Sequence, residues 1–302
     1  MLKKFSSQYD SIQFMKNKLT CILCSSSQCE TIDFVPTTNK AYNPKSMLAH
    51  CRICHLYWIN PLPDEKKLSQ IYGEIYHYNP NKIRDLLFSL PAAVELRSDI
   101  KLISQYKKQG KVLDIGAGRG DFLSQFPKKQ WERWAWDPFL SDEEIDMLKQ
   151  KIGEHANDYK TLQEYPQNLF DVVILRNVIE HTAAFPKLLK DTQKILKKNG
   201  ILFIRTPNIG SLDFRMFGTK WYSIMMAGHL VFFTRQSIDQ ALTKAGFKTT
   251  FTQGTKKSAP MSLARSSSLS MPMPLLLTTS LAYSIISPLF GEGGDLRSIA
   301  QK

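Results

Sequence analysis

Val112-Leu113-Asp114-Ile115-Gly116-Ala117-Gly118-Arg119-Gly120 reads as a short buried strand that breaks into a glycine-rich turn. The glycines let the backbone turn tightly and approach a ligand closely. The next strand ends at Asp137, 23 residues after Asp114. A carboxylate in that place can accept both hydroxyls of a ribose, which is the logic of a dinucleotide site. The third glycine of the dinucleotide fingerprint would fall at position 121, which is Asp121. A carboxylate opening the following helix repels a pyrophosphate. The loop therefore suits a cofactor that carries an adenosine but no phosphates.

Outward from this loop the chain alternates strand and helix. Trp134-Ala135-Trp136 reads as a second strand, 170–175 (FDVVIL) as a third and 201–205 (ILFIR) as a fourth. Continuous apolar runs separated by helical stretches indicate a parallel sheet covered on both faces. Segment 187–198 predicts a helix, with Leu188, Leu189, Ile195 and Leu196 inward, a lysine face outward, and Gly200 as its stop. Upstream, 92–108 predicts another helix through Leu96, Ile100 and Ile103, stopped by Gly110. The expected organisation is a polar lead (1–20), a cysteine module (21–80), a linker helix region (81–110) and an α/β domain (111–302) with an uncharged insertion at 266–291.

The ordered set of motifs resembles the class I S-adenosylmethionine-dependent methyltransferases. The glycine loop has the form Asp-x-Gly-x-Gly-x-Gly. FDVVILRNVIEH (170–181) is similar to that family's fourth-strand motif, and LLKDTQKILKKNGILFIRTPN (188–208) to its next helix, turn and fifth strand. GHLVFFTRQSIDQALTKAGF (228–247) resembles the lead to the sixth strand near Thr249 to Gln253, and GDLRSIAQK (294–302) the last strand. The resemblance covers roughly 95–254 and implies a doubly wound, seven-stranded Rossmann-like sheet. It implies S-adenosylmethionine as cofactor, with Gly116, Gly118 and Gly120 against the methionine and sugar. Asp114 would hold the loop and the amino group, and Asp137 the ribose, with a helix N-cap before Pro138 as the plain alternative for Asp137. Asp158 falls where adenine is contacted, with Asn157 as its rival and a solvated turn as the plain alternative; Ala117 and Asn177 complete the expected lining.

Methyl transfer from a sulfonium is an in-line displacement, so the protein must align the acceptor and, for a hydroxyl or acidic carbon, remove its proton. Glu180-His181 follows the FDVVIL strand, where an open α/β sheet presents groups to ligands. His181 is the candidate base, since an imidazole is largely neutral near pH 7. Glu180 would orient it, bind a substrate hydroxyl, or help hold a divalent ion as in the ubiquinone-type O-methyltransferases this segment resembles; the plain alternative is a hydrogen-bonded strand end. His229 is a second candidate pocket residue, before a helix that Thr234 would cap. Thr206-Pro207-Asn208 would shape the pocket.

Cys21-x-x-Cys24 and Cys51-x-x-Cys54 are separated by 26 residues. Two such turns offer four thiolates, the set that suits a tetrahedral structural Zn2+ in a module with little core of its own. Ser25 and His55 stand where glycine is common after the second cysteine. That leaves His50, Cys29 or His55 as substitute ligands, and an iron centre or empty thiols as alternatives. CRICHLYWINPLPDEKKLSQIYGEIYHY (51–78) resembles the zinc-ribbon lead of bacterial small-molecule methyltransferases, sugar C-methyltransferases among them, which makes Tyr76 and Tyr78 candidate substrate contacts. Two departures weaken a sugar assignment: Val178 replaces the tyrosine those enzymes carry, and their extra C-terminal domain is not expected here.

The chain has 302 residues, 43% of them hydrophobic, with 40 Lys+Arg against 27 Asp+Glu and a formal net charge of +13. Such an excess raises nucleic acid or an anionic membrane as a partner. It is dispersed, however, and its densest part is the lysine face of 187–198. A nucleic-acid methyltransferase is the second function class, but the fourth-strand motif is Arg176-Asn177-Val178-Ile179 rather than the Asn/Asp-Pro-Pro-aromatic type, and no cysteine follows residue 54. A non-catalytic scaffold is the third, against which the intact glycines and Asp137 argue. The opening residues carry positive charge without an apolar run, so a secretory signal is not expected. In 266–291, Pro272, Pro274 and Pro288 leave about 13 unbroken residues, against roughly 20 for a spanning helix. The segment is expected to be a lid, a contact between two copies, or an interfacial helix, in a cytoplasmic protein that touches the inner membrane face if the last applies.

Overall fold

The computed structural model describes residues 19–35, 46–63, 95–153, 155–226, 228–255 and 292–302, with single positions between 278 and 289. Tyr76, Tyr78, the polar lead through residue 18 and most of the uncharged insertion lie outside them. In chain order the described strands are β1 (Cys29–Phe34), β2 (Met47–Cys51), β3 (Tyr57–Asn60), β4 (Gly110–Ile115), β5 (Trp131–Trp136), β6 (His155–Ala156), β7 (Phe170–Arg176), β8 (Leu196–Pro207), β9 (Val231–Phe232), β10 (Lys248–Gly254) and β11 (Asp295–Gln301). The described α-helices are α1 (95–104), α2 (Asp142–Ile152), α3 (Phe185–Ile195), α4 (Leu212–Phe217), α5 (Tyr222–Met225) and α6 (Arg235–Lys244).

Seven strands form one sheet in the order β10-β11-β8-β7-β4-β5-β6, with β4 to β8 parallel and β11 antiparallel to both of its neighbours. This is the expected doubly wound α/β sheet. Its strands are apolar on both faces because both are covered: Leu113, Val173 and Leu202 join one buried cluster, and Val112, Val172 and Ile201 the other. After β4 the chain runs outward through β5 and β6, then returns to β7 on the opposite side of β4. The crevice at that reversal, outside the carboxyl ends of the strands, is where such sheets take ligands.

Four local expectations are corrected. The helix foreseen after the glycine loop is a single 3-10 turn, Leu123–Gln125, because Pro127 holds Phe126 extended at φ −77 and ψ 120. The lysine-rich helix ends at Ile195, so Lys197 and Lys198 belong to β8, where Lys197 pairs with Asp171 at 2.7 Å. The left-handed residue of that turn is Asn199, at φ 64, rather than Gly200. The second strand begins at Trp131 instead of Trp134, since its register against β4 starts at Gly110.

The cysteine segment builds a second sheet, β1-β2-β3-β9, whose last strand comes from the α/β part of the chain. Cys21, Cys51 and Cys54 share a buried cluster with Phe185, Phe232 and Phe233.

On the opposite face α1 is tied to the sheet by charge. Arg205, buried on β8, meets Asp99 at 2.9 Å and Glu95 at 2.7 Å from α1, and Asp295 at 2.6 Å from β11. Asp99 is wholly buried and also faces Arg176 at 3.4 Å and Arg297 at 3.7 Å. Removing one partner from a buried ion network leaves uncompensated charge, at a cost of about 3–5 kcal/mol. Arg205→Met is expected to lower the unfolding free energy read from urea titration by that order; a change under about 1 kcal/mol would show that Arg176 and Arg297 suffice for Asp99.

Candidate active site

β4 delivers the glycine loop to the crevice. Gly118 has φ 50, and a Cβ added there would meet nothing within 4 Å, so the loop is open on the side that a ligand would approach. Gly116 is closed on its own side: a Cβ would come within 2.6 Å of Val178 Cγ2. Asp137, fully buried at the end of β5, accepts from Gly118 N and from Phe139 N, both at 3.0 Å. The carboxylate thus fastens the loop and closes the turn at Pro138. Asp114 is buried below it; burial lifts its carboxyl to about 7, with Arg176 opposing the shift and Asp137 adding to it. Ala117 O accepts from Gly120 N at 2.9 Å, and Asn177, at φ 56, donates its backbone N–H to Arg205 O at 2.8 Å.

The two rivals beyond β6 separate. Asn157 accepts from Asp137 N and donates to Asp137 O, each at 2.7 Å, so it clamps the backbone of the ribose candidate. It does so from φ 52, a conformation that asparagine tolerates better than most residues. Asp158 pairs with His155 Nδ1 at 2.7 Å. The clamp was not foreseen; an asparagine just after a short strand was its sole sequence signal.

Glu180, His181 and His229 meet past the end of β7, with one ligand-type atom of each within 4.8 Å of the others. Glu180 is fully buried; Oε2 accepts from Thr206 Oγ1 at 3.0 Å, and Oε1, without a hydrogen bond, stands 4.0 Å from His229 Nε2. Burial raises this carboxyl to about 8, so it is protonated at neutral pH. His181 pairs through Nδ1 with Gly228 O at 3.0 Å and His229 through Nδ1 with Ser223 O at 2.8 Å. Donation to those carbonyls fixes the tautomers and leaves each Nε2 as an acceptor. Burial lowers His181 to about 4 and His229 well below the ordinary imidazole range, so both are neutral. The set can take up a proton at imidazole Nε2, donate one from Glu180, or present two imidazoles and a carboxylate to a cation. The carbonyl anchors on Gly228 and Ser223 carry no sequence signature.

Cys21, Cys24, Cys51 and Cys54 bring four sulfurs within 4.8 Å of one another, with Cys21 to Cys54 at 3.4 Å and Cys24 to Cys51 at 3.5 Å. Zinc bound tetrahedrally at 2.3 Å spaces its sulfurs by about 3.8 Å, so small shifts would seat the ion. Both turns are built alike: Ser25 N donates to Cys21 O and His55 N to Cys51 O, each at 2.9 Å. Ser25 and His55 take the left-handed conformation in glycine's place, at φ 62 and 55. His55 is thereby a turn residue, 3.4 Å from His50, and neither it, His50 nor Cys29 joins the four-sulfur set. The thiol hydrogen bond between Cys21 and Cys54 lowers Cys21 and raises Cys54, so the two sulfurs hold a proton between them.

Residues 91–250 match the family described as Methyltransferase domain. The chain is 28% identical over 157 residues to the ubiquinone biosynthesis O-methyltransferase of Pelagibacter ubique, covering 50% of this chain and 63% of that protein. It is 32% identical over 126 residues to phosphoethanolamine N-methyltransferase 3 of Arabidopsis thaliana, covering 36% and 24%. The matched region thus spans less than two thirds of these relatives. The fold is similar to that of 1,6-didemethyltoxoflavin-N1-methyltransferase from Burkholderia thailandensis, solved with 1,6-didemethyltoxoflavin and S-adenosylhomocysteine (TM-score 0.52, 17% identity, 86% of this chain and 96% of that one). With more than half of its 302 residues matched, on a sheet of this order, the chain belongs to the Methyltransferase domain family, within the class I S-adenosylmethionine-dependent methyltransferases.

Proposed function

We propose that the protein methylates an oxygen or an acidic carbon of a small molecule, with His181 as the base. The observation that carries this reading is the carbonyl-anchored imidazole of His181 beside the buried carboxyl of Glu180, past the end of the strand next to the one that delivers the glycine loop, where burial favours the neutral form of both groups. When bound, S-adenosylmethionine supplies an electrophilic methyl on a cationic sulfur. The loop and Asp137 fix the nucleoside end of the cofactor, with Asn157 keeping Asp137 in place. His181 Nε2 takes the acceptor's proton as the acceptor advances on the methyl, and Glu180 donates a hydrogen bond to a substrate oxygen. The ribbon-like lead and the uncharged 266–291 stretch favour a lipophilic or sugar-type acceptor, and the four cysteines favour one structural Zn2+.

Incubation of the protein with radiolabelled methyl donor and cell extract, followed by sorting of the label, tests the reading. Label is expected in small molecules or extractable lipid. Label confined to RNA would replace it with the nucleic-acid function, and no transfer with intact cofactor binding would favour the scaffold.

A further inference from the structure

The segment carrying His229 is hydrogen-bonded from two directions. Leu230 N donates to Glu180 O at 2.8 Å, while Leu230 O accepts from Ile59 N at 2.9 Å. Beyond it, β9 pairs with β3, Tyr57 opposite Phe232 and Trp58 opposite Val231. Gly228 O, two residues before Leu230, anchors His181. A single residue therefore joins the backbone of the candidate acid to the edge of the cysteine sheet. Further ties run from the metal turns: Thr234 Oγ1 donates to His55 O at 3.2 Å, and Gln236 Nε2 to Ile53 O at 3.4 Å.

β9 is only two residues long. A strand so short cannot hold its own geometry and depends on the strand beside it. β3 begins three residues after Cys54, so the turn that closes the four-sulfur set also sets where β3 lies. The cofactor loop and Asp137 are on β4 and β5, in the other sheet.

We propose that the four-cysteine module is a metal-dependent brace for the catalytic segment. With zinc bound it holds β9 as the fourth strand of its sheet, and through Leu230 and Gly228 it fixes Glu180 and His181; without metal that edge loosens while the cofactor site stays formed. Leu230 and Ile59 are thus positioning residues. The inference rests on the acid/base reading of Glu180 and His181.

The test uses the full chain loaded with Zn2+, before and after chelation. Amide hydrogen exchange at Ile59 and Leu230 is expected to speed up at least tenfold on metal removal. S-adenosylhomocysteine affinity should stay within about twofold, and methyl transfer to the labelled acceptor fraction should fall at least tenfold. Ile59→Pro deletes the donor to Leu230 O and spares all four cysteines; it should retain about one zinc and still show faster exchange at Leu230. Failure of the native chain to bind zinc, unchanged exchange at Leu230 after complete removal, or loss of cofactor affinity in step with global unfolding would each overturn the brace. Failure of the native chain to bind S-adenosylhomocysteine would instead refute the methyltransferase reading.

Discussion

Asp137→Ala is expected to weaken S-adenosylhomocysteine binding by about 100-fold or more in titration calorimetry. Hydrogen bonds to a charged group contribute about 1.5–3 kcal/mol each, and two ribose hydroxyls would meet one carboxylate in the proposed site, so a loss of about 3–6 kcal/mol is expected, at 1.4 kcal/mol per tenfold. The substitution also frees Gly118 N, which that carboxylate holds at 3.0 Å, and loosens the loop against the methionine end. Asp121→Ala supplies the contrast. Its carboxylate also flanks the loop, but it is exposed and paired with Lys151 and Arg119. Exposed pairs contribute at most about 1 kcal/mol, and affinity should change less than threefold. An Asp137→Ala variant that binds as well as the Asp121→Ala variant would remove Asp137 from the site.

The frame of the sheet was legible because β4, β7 and β8 are buried on both faces and must be apolar throughout; tertiary context has little room to override such runs. Asp137 was legible for the same reason, as the polar residue that ends a buried strand. Helix ends were less so. Gly200 seemed the natural stop, yet Asn199 takes the left-handed position and Lys197 turns back to Asp171, a choice made by a partner on another strand. The site divides likewise. Glu180 and His181 are neighbours in sequence, but His229 arrives 48 residues after His181, and Asn157 acts through a side-chain clamp on a backbone that only the fold brings near. The place of β9 in the cysteine sheet was invisible, because two residues carry no periodicity.

His181→Ala is expected to reduce the rate of methyl transfer by at least 100-fold, within the roughly 10²–10⁴ that a positioned base supplies, while S-adenosylhomocysteine affinity stays within about threefold. The pH profile carries the sharper information. A base lowered to about 4 stays unprotonated across the neutral range, so the native rate should fall only as pH drops toward 4. An acid raised to about 8 keeps its proton below that value, so the rate should fall again as pH rises through about 8. His181→Ala should flatten the acid limb of what little rate remains. Glu180→Gln keeps a group that accepts from Thr206 Oγ1 but has no proton to lose; it should abolish the alkaline limb and cost less than about tenfold near pH 7. The opposite pattern has a distinct meaning. If Glu180→Gln loses as much rate as His181→Ala, and a chelator does the same to the native protein without altering exchange at Leu230, then Glu180, His181 and His229 act on a bound cation and the acid/base assignment fails.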